Sequence, residues 1–187
     1  MNTEKAFSLD WMVWLQWVLA TTIGLFISEF LSYMLGTLLN ILAGGLIIGT
    51  LQWLFVLRSQ QVKSGQWIWC SAIGWALGYL VGSNVTSIAL FIRGIVLGFS
   101  QWFFFIRKMY PTSFWWVLIN ALSLPMTFLL SWRVIFPVLL GGYDGALSGP
   151  ADTIVRGVLF GAITGFYLMW LMSRPQMATE AILPNTE

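Results

Sequence analysis

GLIIGTLQWLFVLR, residues 45–58, and GIVLGFSQWFFFIR, residues 94–107, fit one pattern, G-x-x-x-G-x-x-Q-W-x-x-x-x-R, without a gap. Each stretch is apolar from its first glycine to its closing arginine, and its one strongly polar side chain is Gln52 or Gln101. A third version starts at Gly157 as GVLFGAITGFYLMWLMSR. It keeps the glycines, has Thr164 where the others have glutamine, and carries its arginine later, at Arg174.

An apolar stretch precedes each of these segments, and its landmarks also align. Trp17 to Gly24, Trp67 to Gly74 and Trp116 to Ser123 share one spacing of seven. The period is about 50 residues, long enough for one supersecondary unit per copy. The chain therefore reads as three tandem helical hairpins, about 11–58, 66–107 and 113–174, in a single domain 1–187 with a short polar tail, 175–187. The third copy contains a longer Gly- and Pro-rich connection, VIFPVLLGGYDGALSGP. Three parallel repeats of this kind suit a pseudo-threefold axis along a membrane normal.

Composition selects the solvent. The 187 residues are 58% hydrophobic and 9% charged, against about 25% charged in a soluble domain. A bilayer span needs about 20 apolar residues, and backbone in lipid must satisfy itself as helix. Six segments qualify: 11–33, 37–57, 67–83, 86–106, 113–132 and 153–173. The expected fold class is all-α integral membrane, with six transmembrane helices. The run from Trp11 to Leu35 is too long for a signal-peptide core and counts as a span.

Basic residues set the orientation. Lys5, Arg58, Lys63, Arg107, Lys108 and Arg174 fall on one side, and Arg93, Arg133 and Arg156 on the other. The positive-inside rule then places both termini in the cytoplasm. Trp11, Trp14, Trp17, Trp53, Trp67, Trp102 and Trp115 gather near the cytoplasmic ends and read as an interfacial aromatic belt.

Several function classes are disfavoured. The chain has no histidine, and so lacks the commonest general base and metal ligand. No metal site is expected, and no G-x-S-x-G or H-E-x-x-H motif occurs. No catalytic residue is assigned. The net charge of +2 without a basic run argues against nucleic acid. Cys70 is alone, so it forms no intrachain disulfide and reads as a small buried side chain.

Polar groups at membrane depth are the remaining candidates. Gln52 and Gln101 lie on the glycine face of their helices and should bond across to the neighbouring repeat. With Thr164 they form a helix-packing set or a polar lining. Arg93 and Arg156 precede the glycine motif in RGIVLG and RGVLFG, where the first repeat has Gly44. Glu29, Arg93, Arg133, Asp144, Asp152 and Arg156 make the least ordinary constellation, either structural ion pairs or a site for an anionic headgroup or small polar solute. Asp152 should pair with Arg156 within one helix, and Glu29 with Arg93 between repeats. Asn120 and Pro125 suggest a local kink in the fifth span.

WLQWVLATTIG (14–24), GLIIGTLQWLFVLR (45–58), WIWCSAIGWALG (67–78) and GVLFGAITGFYLMWL (157–171) resemble segments of uncharacterised multi-pass membrane proteins of cyanobacteria and related bacteria. That resemblance covers most of the chain. It implies a bacterial plasma or thylakoid membrane and no catalytic residue. The resulting expectation is a non-enzymatic accessory, assembly or structural subunit of a membrane complex, with the bilayer, other subunits or a second copy as partners. The alternative is a protein that binds or transports a small solute, lipid or pigment. No cofactor is expected; the 12 Trp and 14 Phe would suit lipid, carotenoid or chlorophyll without specifying any of them.

Overall fold

The computed structural model describes residues 10–59, 64–82, 87–111, 113–135 and 148–173. These are all-helical, without a strand among them. Six helices form the bundle: α1 (Trp11–Leu35), α2 (Thr37–Gln52), α3 (Ser64–Val81), α4 (Ser87–Gln101), α5 (Trp115–Leu130) and α6 (Ser148–Met172). Arg107–Met109 adds one further turn after α4.

Local chemistry sets the boundaries. Asp10 caps α1, its carboxylate accepting from the Met12 and Val13 amides at 3.1 and 3.2 Å. Gly36 alone separates α1 from α2, at a φ of 95° that a side chain would disfavour. Pro125 lies inside α5, which continues as helix through it to Leu130.

Each helix packs on the next in the chain, and α6 packs on α1, so the six close into a ring. The α5–α6 seam is the sparsest of the six. Glycines permit several of these approaches. A Cβ on Gly45 would lie 2.7 Å from Ala72 Cα of α3, and one on Gly94 2.7 Å from Ala121 Cα of α5. One on Gly157 would lie 2.8 Å from Thr22 Cα of α1. In each case the obstacle is a neighbouring backbone, which cannot swing away as a side chain can.

Three π-helical turns were not foreseen: Trp53–Leu57 continues α2, Trp102–Ile106 continues α4 and Ser131–Ile135 continues α5. A π turn widens the helix, so consecutive residues can face the same way. Val56 with Leu57, and Phe105 with Ile106, are buried as adjacent pairs. α6 has no π turn, and its corresponding core residues, Leu168 and Leu171, have ordinary helical spacing.

The molecule's outer surface is apolar all round. Leu15, Leu19, Leu42, Ile73, Leu77, Phe99, Leu122, Val158 and Phe166 are among its exposed side chains. Its interior holds Thr21, Asn40, Gln52, Ser71, Gln101, Asn120, Asp152 and Thr164. Among the described residues, five stretches are long and apolar enough to cross a membrane: Trp11–Leu35, Asn40–Leu57, Ser87–Met109, Trp115–Ile135 and Gly149–Met172. α3 falls short of the six expected, because Gln66, its serines, its glycines and its indoles lower its hydropathy. Several of those residues, including Trp67 and Ser71, are the ones it buries against its neighbours.

Candidate functional site

The three tryptophans aligned in the sequence converge at one end of the bundle. Trp17, Trp67 and Trp116 are each at most 1% exposed. Their ring centroids lie 5.8, 6.4 and 6.3 Å apart, all edge to face. This arrangement matches the quadrupole preference of aromatic rings. The belt expected from sequence therefore loses Trp17 and Trp67, which face the core. Trp11 and Trp115 are 61% and 60% exposed and remain at the surface.

A buried indole N–H needs an acceptor, and the aligned polar residues supply it. Trp67 Nε1 donates to Gln52 Oε1 at 3.2 Å and Trp116 Nε1 to Gln101 Oε1 at 3.0 Å. Trp17 Nε1 donates to Thr164 Oγ1 at 3.1 Å. The acceptor belongs to α2, α4 or α6, and the indole to α3, α5 or α1, so every bond joins one aligned segment to the next around the ring. The glutamine amides also donate: Gln52 Nε2 to Thr21 Oγ1 and Gln101 Nε2 to Ser71 Oγ, both at 3.0 Å. Thr164 has no amide to give, and its hydroxyl turns to the Phe160 carbonyl at 2.7 Å. Asn120, which matches Thr21 and Ser71, bonds instead to the Trp116 carbonyl at 2.9 Å.

The charged residues lie towards the opposite end. Glu29 is twelve positions beyond Trp17 in α1, about 18 Å along the helix at ~1.5 Å per residue. Glu29, Arg93 and Arg156 line one cavity. Helices α1, α3, α4, α5 and α6 all contribute to its wall. The lining is mostly apolar, with Leu25, Leu97, Leu124 and Phe160 below and Tyr79, Thr127 and Thr153 among the polar groups. Leu25, Trp75, Leu97 and Phe160 also bound a smaller space, which reaches Gln52, Gln101 and Thr164. Trp17 and Trp116 line it as well, so the indole cluster lies at its inner limit.

Each arginine is anchored. Arg93 Nε donates to the Gly82 carbonyl at 2.6 Å, and its guanidinium sits 4.0 Å from the centre of the Tyr79 ring. Arg156 pairs with Asp152 at 2.8 Å one helical turn away, as expected from sequence. Asp152 is buried and also accepts from the Ser131 hydroxyl of the turn that continues α5. Arg156 Nε is buried without a hydrogen-bond partner.

The expected Glu29–Arg93 ion pair is not formed. Arg93 is held by Gly82 and Tyr79, so the two charges share a cavity without contact. Gly44 explains why the first segment has no third arginine. A Cβ there would lie 2.5 Å from both Ser28 Oγ and Trp75 Nε1. That space belongs to Asn40, whose Oδ1 accepts from Ser28 at 2.5 Å and from Trp75 at 3.3 Å. Arg133 is exposed at the end of α5 and outside the cavity lining. Asp144 lies outside the described residues. The constellation of six therefore resolves into Glu29, Arg93 and Arg156 at the cavity, with Asp152 supporting Arg156.

Sequence reasoning singled out these arginines but missed Tyr79, Thr127 and Thr153. Tyr79 follows Trp75 by four in α3, and that i, i+4 spacing was the available signal. No group of metal-binding side chains occurs among the described residues. No known protein family, no curated relative and no solved structure matches the chain.

Proposed function

We propose that this chain is an integral membrane protein that binds a small amphipathic ligand carrying an anionic group, taken from the non-cytoplasmic side. The carrying observation is the convergence of Arg93 and Arg156 on one apolar-walled cavity, with a buried Arg156 Nε left without a partner. A cationic donor in such surroundings favours an anion, and the apolar walls favour a ligand with a hydrocarbon part.

Membrane insertion is supported by the apolar outer surface and polar interior, the reverse of a soluble bundle. The excess of basic residues at the indole end supports a cytoplasmic location for both termini. The resemblance to bacterial sequences supports a plasma or thylakoid membrane. We place the three helical hairpins around a pseudo-threefold axis. The three indole bonds support this, because each links equivalent sequence positions in successive repeats.

The indole cluster lies where a conducting path would have to pass, which favours binding over a channel. The accessory-subunit reading draws on the outer apolar surface, which bilayer lipid covers equally well without a protein partner. The test is gentle extraction with native lipids, followed by mass spectrometry of wild type and Arg156→Gln. A small anionic species retained by wild type and lost in the variant supports binding. Equal retention of every species by both proteins refutes it. Reporter fusions at Glu187 and within 141–150 should report opposite sides of the membrane, and agreement between them would refute the orientation.

A further inference from the structure

We infer that the cavity's ligand is zwitterionic, with its anionic group towards Arg93 and Arg156 and a primary ammonium at Glu29. This rests on the cavity being a binding site, and it adds the class of ligand. Opposite charges at this cavity stand apart. A carboxylate and two guanidiniums in a low-dielectric cavity attract strongly. They would collapse into contact if nothing held them, yet Glu29 has no ion-pair partner among the described residues.

Each arginine is restrained by residues outside Glu29's helix. Arg93 is tied to the Gly82 carbonyl and lies against the Tyr79 ring, both at the end of α3 and its exit. Arg156 is tied to Asp152, which Ser131 holds in turn. Glu29 enters from α1, across the same cavity. Tyr79 lines that cavity together with Glu29, Arg93 and Arg156.

A simple anion would satisfy the arginines and leave Glu29 as an unpaired carboxylate beside it. A molecule bearing both signs satisfies both halves at once, with Arg156 Nε as a further donor. Leu124 and Phe160 then face its hydrocarbon part. The shared chemistry is a primary ammonium joined by a short linker to a phosphate or carboxylate, with an apolar extension. An ethanolamine phospholipid and a free apolar amino acid both have it.

The experiment compares matched ligands that differ in the ammonium. Purified full-length protein is placed in nanodiscs of phosphatidylethanolamine or phosphatidylglycerol. In detergent it is titrated with leucine or 4-methylpentanoate, with thermal stability and calorimetry as readouts. In one pair the ammonium-bearing member should bind about tenfold more tightly, as one charge-assisted contact predicts. Glu29→Gln should abolish that preference. Glu29 makes no ion pair, so its neutralisation leaves the fold intact. A preference in the lipid pair alone identifies a headgroup, and one in the leucine pair alone a free solute. Equal binding within both pairs that is lost in Arg156→Gln overturns the zwitterion and leaves the anion site standing. No binding in either pair, with Arg156→Gln unchanged in stability and bound species, overturns both readings.

Discussion

At one end of the bundle three indoles press edge to face and every N–H among them has an acceptor. At the other end three ionisable side chains surround a space and two of them make no ion pair. The first region is closed by its own contacts. The second is lined by arginines that Gly82, Tyr79 and Asp152 hold. Lipid is as apolar as a leucine core, so helices in a bilayer are held by close packing and internal polar bonds. The indole end has both in repeated form. At the charged end Arg93 bonds to Gly82 and lies on Tyr79, Arg156 pairs with Asp152, and neither pairs with Glu29. Three indoles bonded to one another's neighbouring segments at one end, and a cavity with Glu29 outside any ion pair among the described residues at the other, separate scaffold from site.

Removing an indole should have the largest effect. Trp67→Ala should cost about 3 kcal/mol of stability in detergent, the low end of the soluble Trp→Ala range, because lipid is also apolar. A variant as stable as wild type on thermal unfolding would show that the indole cluster carries no structural weight.

Gly44→Arg tests why the charged end has two arginines. It would complete the sequence pattern, but the new Cβ meets Ser28 and Trp75 at 2.5 Å. Overpacking should cost about 2 kcal/mol. A stable variant with stronger anion binding would mean that the first segment can accept the charge after all. Gln101→Leu leaves the Trp116 N–H without its acceptor and Ser71 without its donor. The loss should be near 1 kcal/mol, the scale of one interhelical polar contact in lipid. An equally stable variant would argue that water replaces the amide.

The smallest stability effect should come from Glu29→Gln. It breaks no ion pair, so the change should stay within about 0.5 kcal/mol, as for substitutions away from packed features. A large loss of stability would move Glu29 from the site to the scaffold and erase the contrast between the two ends.

Most of the indole end was legible, because the alignment of Trp17, Trp67 and Trp116 with one another, and of Gln52, Gln101 and Thr164, is a matter of spacing. What misled was position. An indole near a helix end reads as an interface anchor, and only the neighbouring helices show that Trp17 and Trp67 turn inward. The π turns were hidden for a related reason. Adjacent apolar residues such as Val56 and Leu57 look ordinary in a segment that is apolar throughout. At the charged end, Asp152–Arg156 was readable from a four-residue offset within one helix. Glu29 and Arg93 were readable as neighbours in depth but not as a pair, because Gly82 and Tyr79 compete for the arginine.

From the sequence came the helices, the apolar length of most of them and the positions that align with one another. Those follow from apolar run length and from intervals along one chain, which folding does not alter. Tertiary structure alone decided which way each polar group turned. A side chain's partner depends on distances across helices, and in this bundle those distances give Trp17, Trp67 and Trp116 their acceptors at one end and leave Glu29 apart from both arginines at the other.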